Sequence, residues 1–334
     1  MESQTHEPAP DVCLDGNDTG EKLRSYAGKN MTESKRHWWS DFAVHGIFWR
    51  RFVDRGVCVV PAVLHAPLVW TGAVLFFFVA GPARKALLCN LRLIEPNSSR
   101  ILNYVRVLRV FANFGWSLTD AVTYRLKKGR FQYEIEGGTF LDKLGSDDAA
   151  IILTAHMGNY DLGAAAFAAR FNRQIRMVRA PEPDALAAQH VDLALQESSA
   201  GAVKIGYSDD GTSLALELLN ALRAGEIISI QGDRVVGEMA RASVMFFQRE
   251  ILLPNGPFVL AYVSGRPIYP MFVVRTGRWK YKVIAHEPIV LSRLGASRDE
   301  IIATAMQRWS SVLEKTVRIR WPQWFAFTRL SSRD

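Results

Sequence analysis

The pattern of apolar and polar positions divides the chain into three parts. Residues 1–36 are polar, mixed in charge and without apolar periodicity, which predicts a disordered tail. Residues 56–80 contain no Asp, Glu, Lys or Arg. Beyond them, short apolar or β-branched runs alternate with stretches of helical periodicity. We therefore expect a tail, an apolar anchor segment over residues 37–82 and a folded domain over residues 83–330.

The apolar run is 25 residues long, which is enough to cross a hydrocarbon core of about 30 Å. The tryptophans and arginines just before it, in "RHWWSDFAVHGIFWRRFVDR", are typical of an anchor at a membrane interface. Pro61, His65 and Pro67 interrupt the run. Three arrangements therefore remain open, namely a transmembrane helix, an in-plane or re-entrant helix, and a buried helix of a soluble protein.

The folded domain is predicted to be an α/β domain. The candidate strands are residues 131–136, 149–155, 174–179, 202–205, 227–231, 243–247, 267–274 and 281–286. The candidate helices are residues 98–128, with Ser98 or Ser99 as cap, and residues 160–171, 184–198, 209–224, 256–263 and 297–318. Such alternation favours a central, mostly parallel sheet flanked by helices. In these sheets ligands bind at the carboxyl ends of the strands.

The composition of the chain limits the kinds of molecule that the protein is expected to bind. The net charge of +8 suits an anionic partner. No zinc-finger spacing, basic heptad helix or aromatic RNA-binding strand is present in the sequence, so we expect no nucleic acid. A phospholipid membrane is the other common anionic surface, and each Lys or Arg near its headgroups contributes about 1 kcal/mol. The three cysteines are far apart, which indicates neither a disulfide framework nor a metal site.

The candidate chemistry lies in "AHMGNYDLGA", between the predicted strand 149–155 and the predicted helix 160–171. Asn159 is a suitable N-cap, which would put Asp161 in the first helical turn and His156 in the loop before it. Residues five apart on a continuous helix diverge by about 140°, but a loop at the helix start can bring them together. Gly158 would allow the tight turn.

In that geometry the Asp161 carboxylate would fix the tautomer of His156 and leave its other nitrogen as a general base. The sequence has no GxSxG motif and no cysteine nearby, so a substrate hydroxyl would attack an activated acyl carbonyl directly. The spacing alone decides nothing, because His6 and Asp11 share it inside the tail. A capping histidine and a first-turn carboxylate with only structural roles would give the same pattern.

Four segments together resemble a known family. The segment "HMGNYDLG" resembles the HxxxxD/E block of the lysophospholipid acyltransferase superfamily, most closely its late lipid A biosynthesis branch. The segments "IISIQGDRVVG", "VMFFQREILLPNGPFVLAYVSGRPIYPMFVVR" and "RWPQWFAFTR" follow in the family's order. The resemblance covers residues 36–329.

The resemblance implies a glycerolipid acyltransferase-like fold and an O-acyltransferase at the cytoplasmic (inner) membrane, with its catalytic domain on the cytoplasmic side. It would move a fatty acyl chain from an acyl carrier protein or acyl-CoA thioester to a hydroxyl of a lipid A-type or other glycolipid, without metal or other cofactor. His156 would be the base and Asp161 its orienting partner. Asn159, Asp233 and Arg234 would line the substrate site, and Arg234 would meet either a phosphate or the phosphopantetheine of the carrier. "FAAR", "MFF" and "FVLAY" offer apolar walls for the acyl chain.

The sequence also departs from the lipid A branch. Asp161 stands where that branch usually has glutamate, and Glu197 and Ser198 lie near a position where arginine is expected. These departures leave the acceptor open between lipid A and another lipid. Two other functions remain as alternatives, namely a thioester or ester hydrolase on the same fold and a catalytically silent lipid-binding membrane protein.

Overall fold

The computed structural model describes residues 47–180, 185–207, 212–237, 239–293 and 295–330. The tail predicted over residues 1–36 lies outside them. The α-helices are α1 (Ile47–Val59), α2 (His65–Val79), α3 (Gly81–Ile94), α4 (Arg100–Lys127), α5 (Gly138–Ser146), α6 (Tyr160–Phe171), α7 (Ala185–Ser199), α8 (Thr212–Arg223), α9 (Gly256–Ser264) and α10 (Arg298–Arg320). Short 3-10 helices cover Ala62–Leu64, Lys128–Arg130 and Trp321–Gln323.

The strands form one seven-stranded sheet and a separate hairpin. They are β1 (Gln132–Glu136), β2 (Ala150–Thr154), β3 (Ile175–Arg179), β4 (Val203–Tyr207), β5 (Ile227–Gln231), β6 (Arg241–Phe246), β7 (Arg249–Pro254), β8 (Ile268–Gly277) and β9 (Lys280–Ala285). The sheet order is β1-β9-β8-β2-β5-β3-β4, and β6 pairs with β7. Strands β8, β2, β5, β3 and β4 are parallel, whereas β9 is antiparallel to β8. The predicted α/β fold with a mostly parallel sheet is confirmed.

The central strands are buried on both faces, as parallel strands covered by helices must be. On β2, Ile151 and Leu153 belong to one apolar cluster, together with residues of α4, α8, α9 and α10. Ala150 and Ile152 belong to a second cluster, with residues of α5 and α6. The two-residue period of the strand divides its side chains between these clusters. Because β2 is the fourth of the seven strands in the sheet order, its carboxyl end lies in the middle of the sheet.

The apolar segment breaks at Pro61 into α1 and α2. By length and composition, the stretch Ala62–Val79 can cross a membrane, although such a helix alone is weak evidence of a span. Helix α2 lies along α4. The centres of the Phe76 and Phe111 rings are 4.9 Å apart, and those of the Phe77 and Tyr104 rings are 5.8 Å apart. One face of α2 is therefore covered by protein.

The other face of α2 is exposed and apolar. Its exposed side chains include Leu68, Leu75 and Phe78, which is 71% exposed. The helix is apolar all round, so the exposed face has no polar covering of its own. Helix α2 thus differs from the buried helix of a soluble protein, which was one of the three arrangements that the sequence left open.

Candidate active site

The loop that carries His156 lies between β2 and α6 and is fixed by α4. Asn159 caps α6, as predicted, since its side-chain oxygen accepts a hydrogen bond from the backbone N–H of Leu162 at 3.2 Å. The Asn159 side-chain amide donates to the carbonyl of Ser117 on α4 at 3.0 Å. The Ser117 hydroxyl donates to the carbonyl of Gly158 at 2.9 Å. The long helix that supports α2 therefore also supports the loop before α6.

Gly158 makes the tight turn that the sequence suggested. Its φ is +60°, in the left-handed region, and a Cβ there would lie 2.0 Å from the carbonyl oxygen of Val273. We expect Gly158→Ala to lower the free energy of unfolding by about 2 kcal/mol or more, because left-handed strain and overpacking add. Thermal unfolding in detergent measures this loss. Gly256→Ala is the matched control, since a Cβ at Gly256 meets nothing within 4 Å, and equal melting temperatures for the two variants would contradict the expectation.

His156 is hydrogen-bonded to Asp233. The distance from His156 Nδ1 to Asp233 Oδ1 is 2.7 Å. The contact follows from the sheet, because β2 and β5 are parallel neighbours in which Thr154 lies opposite Gln231. His156 and Asp233 each lie two positions beyond the end of their strand. Parallel neighbours in register therefore bring the imidazole and the carboxylate together.

Asp233 is buried and ionised. It is only 1% exposed, and its second oxygen, Oδ2, accepts a hydrogen bond from Trp324 Nε1 at 2.9 Å. Burial raises the pKa of Asp233, but His156, Arg234 and the Trp324 hydrogen bond outweigh burial and lower the pKa to about 2. An ionised carboxylate only accepts hydrogen bonds, so His156 Nδ1 carries the proton. In the neutral ring, His156 Nε2 is then the nitrogen without a proton.

Asp161 has a different partner. It lies in the first turn of α6, as predicted, and accepts a hydrogen bond from Arg179 at the end of β3. The guanidinium of Arg179 also lies 5.8 Å from the centre of the Tyr160 ring. Within the described part of the chain, no hydrogen bond joins His156 to Asp161. The sequence suggested Asp161 as the hydrogen-bond partner of His156, whereas in the structure the partner is Asp233. The pairing of β2 with β5 brings Asp233 to the imidazole.

Asn159 and Arg234, the two other predicted binding residues, differ in their hydrogen-bond partners. Asn159 is buried, and Ser117 and Leu162 occupy its side chain, so its observed contacts are structural. Arg234 follows Asp233 and is half-buried. Its Nε has no hydrogen-bond partner among the described residues. That nitrogen is buried, so contact of Arg234 with a substrate stays a prediction, as does contact of Asn159.

Sequence reasoning assigned no role to Trp324. Trp324 lies in "RWPQWFAFTR", one of the four segments that resemble the family, and this resemblance was the only indication in the sequence that the segment matters. In the structure this segment meets the His156 loop, since the carbonyl of Gln323 accepts from the N–H of Gly158 at 2.9 Å. Arg179 and Ser117 were missed in the same way, because nothing local marks a residue whose partner lies far away in the sequence.

An apolar cavity of about 350 Å³ lies beside α6. Its lining includes Gly163, Ala166 and Phe167 of α6, Met271 of β8 and Val283 of β9. Part of the predicted "FAAR" wall therefore faces a cavity. Among the described residues, no three His, Cys, Asp or Glu side chains are grouped as metal ligands.

Comparison with known protein families gives a match over most of the chain. The model of the bacterial lipid A biosynthesis acyltransferase family matches residues 36–331. No curated protein matches the chain.

Proposed function

The chain belongs to the bacterial lipid A biosynthesis acyltransferase family and is therefore an acyltransferase, and we propose that it acylates a hydroxyl of a lipid A-type or other glycolipid. The acyl donor would be an acyl carrier protein or acyl-CoA thioester. The observation that carries the proposal is the hydrogen bond from His156 to the ionised Asp233 at the carboxyl edge of the sheet. This geometry supports a role of His156 as the general base.

In the proposed reaction, His156 Nε2 removes the proton of the acceptor hydroxyl while the hydroxyl oxygen attacks the thioester carbonyl. A new C–O bond forms and the C–S bond breaks. The imidazolium then gives its proton to the leaving thiolate, which departs as a thiol. The buried negative charge of Asp233 stabilises the imidazolium between these two proton transfers. No acyl-enzyme is needed.

The two carboxylates near His156 would have different roles. The family resemblance gives Asp161 the orienting role, whereas the observed hydrogen bond supports Asp233. The charge of Asp161 is already balanced by Arg179, so Asp161 would stabilise an imidazolium less. We propose that Asp233 orients His156 and that Asp161, with Arg179, holds the first turn of α6. Arg234 would bind a phosphate of the donor or the acceptor.

The cavity beside α6 would receive the acyl chain. Its lining is mostly apolar, and apolar walls favour a hydrocarbon chain over water.

Membrane association is a property of the family, and we propose an in-plane anchor at the cytoplasmic (inner) membrane, with the catalytic domain on the cytoplasmic side. Helix α2 lies along α4, which carries Arg100, Arg106 and Arg109. If α2 crossed the bilayer, it would draw these charges towards the hydrocarbon, at about 2.5–3.5 kcal/mol for each charge near the centre. An α2 that lies in the interface avoids this cost and buries its exposed apolar face in lipid.

The exposed face of α2 gives a direct test of the anchor. We expect the double variant Leu75→Glu, Phe78→Glu to bind vesicles of phosphatidylglycerol and phosphatidylethanolamine at least about 10-fold more weakly, because both charges would enter the apolar interface. Flotation of the purified protein with vesicles measures binding. Leu216→Glu on α8 is the control, since Leu216 is 63% exposed. Undiminished flotation of the double variant would remove α2 from the anchor.

The reaction itself is tested with purified protein in detergent, a panel of acyl carrier protein and acyl-CoA thioesters, and total lipid from the source cells. Mass spectrometry should find a lipid that has gained one acyl mass. Thioester loss without a heavier lipid would instead favour a hydrolase. If neither thioester nor lipid changes, a silent lipid-binding protein becomes the better interpretation.

A further inference from the structure

Residues 323–325, the closing segment, contact the catalytic histidine through the backbone. The carbonyl of Gln323 accepts a hydrogen bond from the N–H of Gly158 at 2.9 Å. The N–H of Phe325 donates to the carbonyl of His156 at 2.7 Å. These two bonds lie on either side of Trp324 and fix the peptide that carries the imidazole.

The side chain of Trp324 contacts the other member of the pair. Its Nε1–H donates to Asp233 Oδ2 at 2.9 Å, while Asp233 Oδ1 is bonded to His156. An indole N–H can donate but cannot accept, so it stabilises the carboxylate without competing for the proton of His156. The terminal torsion of an aspartate is broad. Hydrogen bonds to both oxygens therefore restrict the orientation of the carboxylate.

The closing segment is itself firmly held, so the indole has a fixed support. The Gln323 side chain makes two hydrogen bonds with the backbone of Arg275 on β8, both at 2.7 Å. The residues that follow the segment are held as well, since the buried Asn90 of α3 donates to the carbonyls of Ala326 and Thr328 at 3.0 and 2.9 Å. A side chain that is held in this way can fix the orientation of the group to which it donates a hydrogen bond.

We propose that Trp324 is a positioning residue, which holds the Asp233 carboxylate and thereby keeps the imidazole of His156 in the orientation and tautomer needed for proton removal. This inference rests on the proposed acyl transfer. It extends the catalytic pair to a chain of three side chains, from the indole through the carboxylate to the base. The simpler alternative is that Trp324 only fills the core.

The test is Trp324→Phe, which keeps an aromatic ring and removes the N–H. We expect kcat to fall about 10-fold or more, the usual scale for a hydrogen bond to a charged group, and KM for the thioester to change less than about 3-fold. We also expect the acid limb of the rate profile to move to higher pH. Without the indole donor, Asp233 becomes a stronger base and holds the proton on the imidazole more firmly, so a higher pH is needed to free the base.

Trp309→Phe is the matched control for loss of a buried indole. Trp309 is fully buried and its Nε1 donates to the backbone carbonyl of Gly232 at 2.9 Å, so its removal should lower the melting temperature without moving the acid limb. An acid limb and kcat at wild-type values in Trp324→Phe would overturn the inference. Equal losses of kcat in both variants with unmoved acid limbs would reduce Trp324 to a packing role.

A second variant at position 324 and two reference proteins complete the test. If Trp324→Phe does not fold, 3-benzothienylalanine at position 324 keeps the shape of the indole and replaces its N–H by sulfur, and the same fall in kcat and shift in pH are expected. Wild type and His156→Ala are measured in parallel. Absence of transfer by the wild type would refute the proposed function, whereas transfer that depends on His156 but not on the indole N–H would refute only the role of Trp324.

Discussion

His156→Ala is expected to lower the turnover of acyl transfer by at least about 10²-fold, the scale of general-base catalysis. Without the imidazole, no group in the described site takes the proton of the acceptor hydroxyl from the position of Nε2. The fold should persist, because the backbone bonds of His156 to the closing segment do not need the ring. The melting temperature should still fall, since the buried Asp233 loses one partner. Single-turnover formation of acylated lipid, followed by mass spectrometry, measures the loss.

His190→Ala controls for the loss of a histidine elsewhere. His190 lies on α7, and its ring is bonded to Asp54 at 2.9 Å, so we expect turnover near the wild-type value. A cooperative melting transition of His156→Ala above the assay temperature would separate lost chemistry from lost fold. Near-wild-type turnover of His156→Ala would exclude the mechanism.

Asp233→Asn should lower kcat by about 10²-fold or more, because the substitution reverses a hydrogen bond. An asparagine that presents its NH₂ to Nδ1 would drive the histidine proton to Nε2, which then cannot act as a base. Asp161→Asn should cost less than about 10-fold, because an amide oxygen still accepts a hydrogen bond from Arg179. Kinetics of both variants over the same pH range compare the two carboxylates directly.

The reverse ranking would support the role that the family resemblance gives to Asp161. A loss above 10²-fold in Asp161→Asn, with Asp233→Asn near wild type, would mean that Asp161 orients His156 during the reaction. Melting temperatures of both variants are needed beside the kinetics, since Asp233 is buried and its substitution also affects stability.

Local signals predicted many elements of the fold. The run 227–231 and the helix 160–171 were predicted with the same bounds as β5 and α6. The strand is a β-branched run, and the helix starts at a capping asparagine. Strand β7 was missed for a physical reason. Its hairpin turns at Phe247 and Gln248, with φ of 48° and 60°, and such turns usually carry the glycine or asparagine that marks a hairpin in a sequence.

The pairing in the candidate site could not be predicted from spacing. Sequence reasoning correctly placed the loop of His156 after a strand and its capping residue at the start of α6. It paired His156 with Asp161 because the two are close in the chain. The observed partner, Asp233, is 77 positions away, and only the adjacency of β2 and β5 brings it near. The catalytic role of each residue stays a prediction until the variants are measured.

The indole donor of Asp233 comes from a part of the chain that is synthesised after every strand of the sheet. The closing segment follows every strand of the sheet in the chain, so β2 and β5 can pair while residues 323–325 are still inside the ribosome. At that stage Asp233 lacks its indole donor, and the peptide of His156 lacks the bond from Phe325. A chain that stops before residue 323 would therefore lack the bonds of the closing segment to both Asp233 and His156, and we expect it to have no acyl transfer activity.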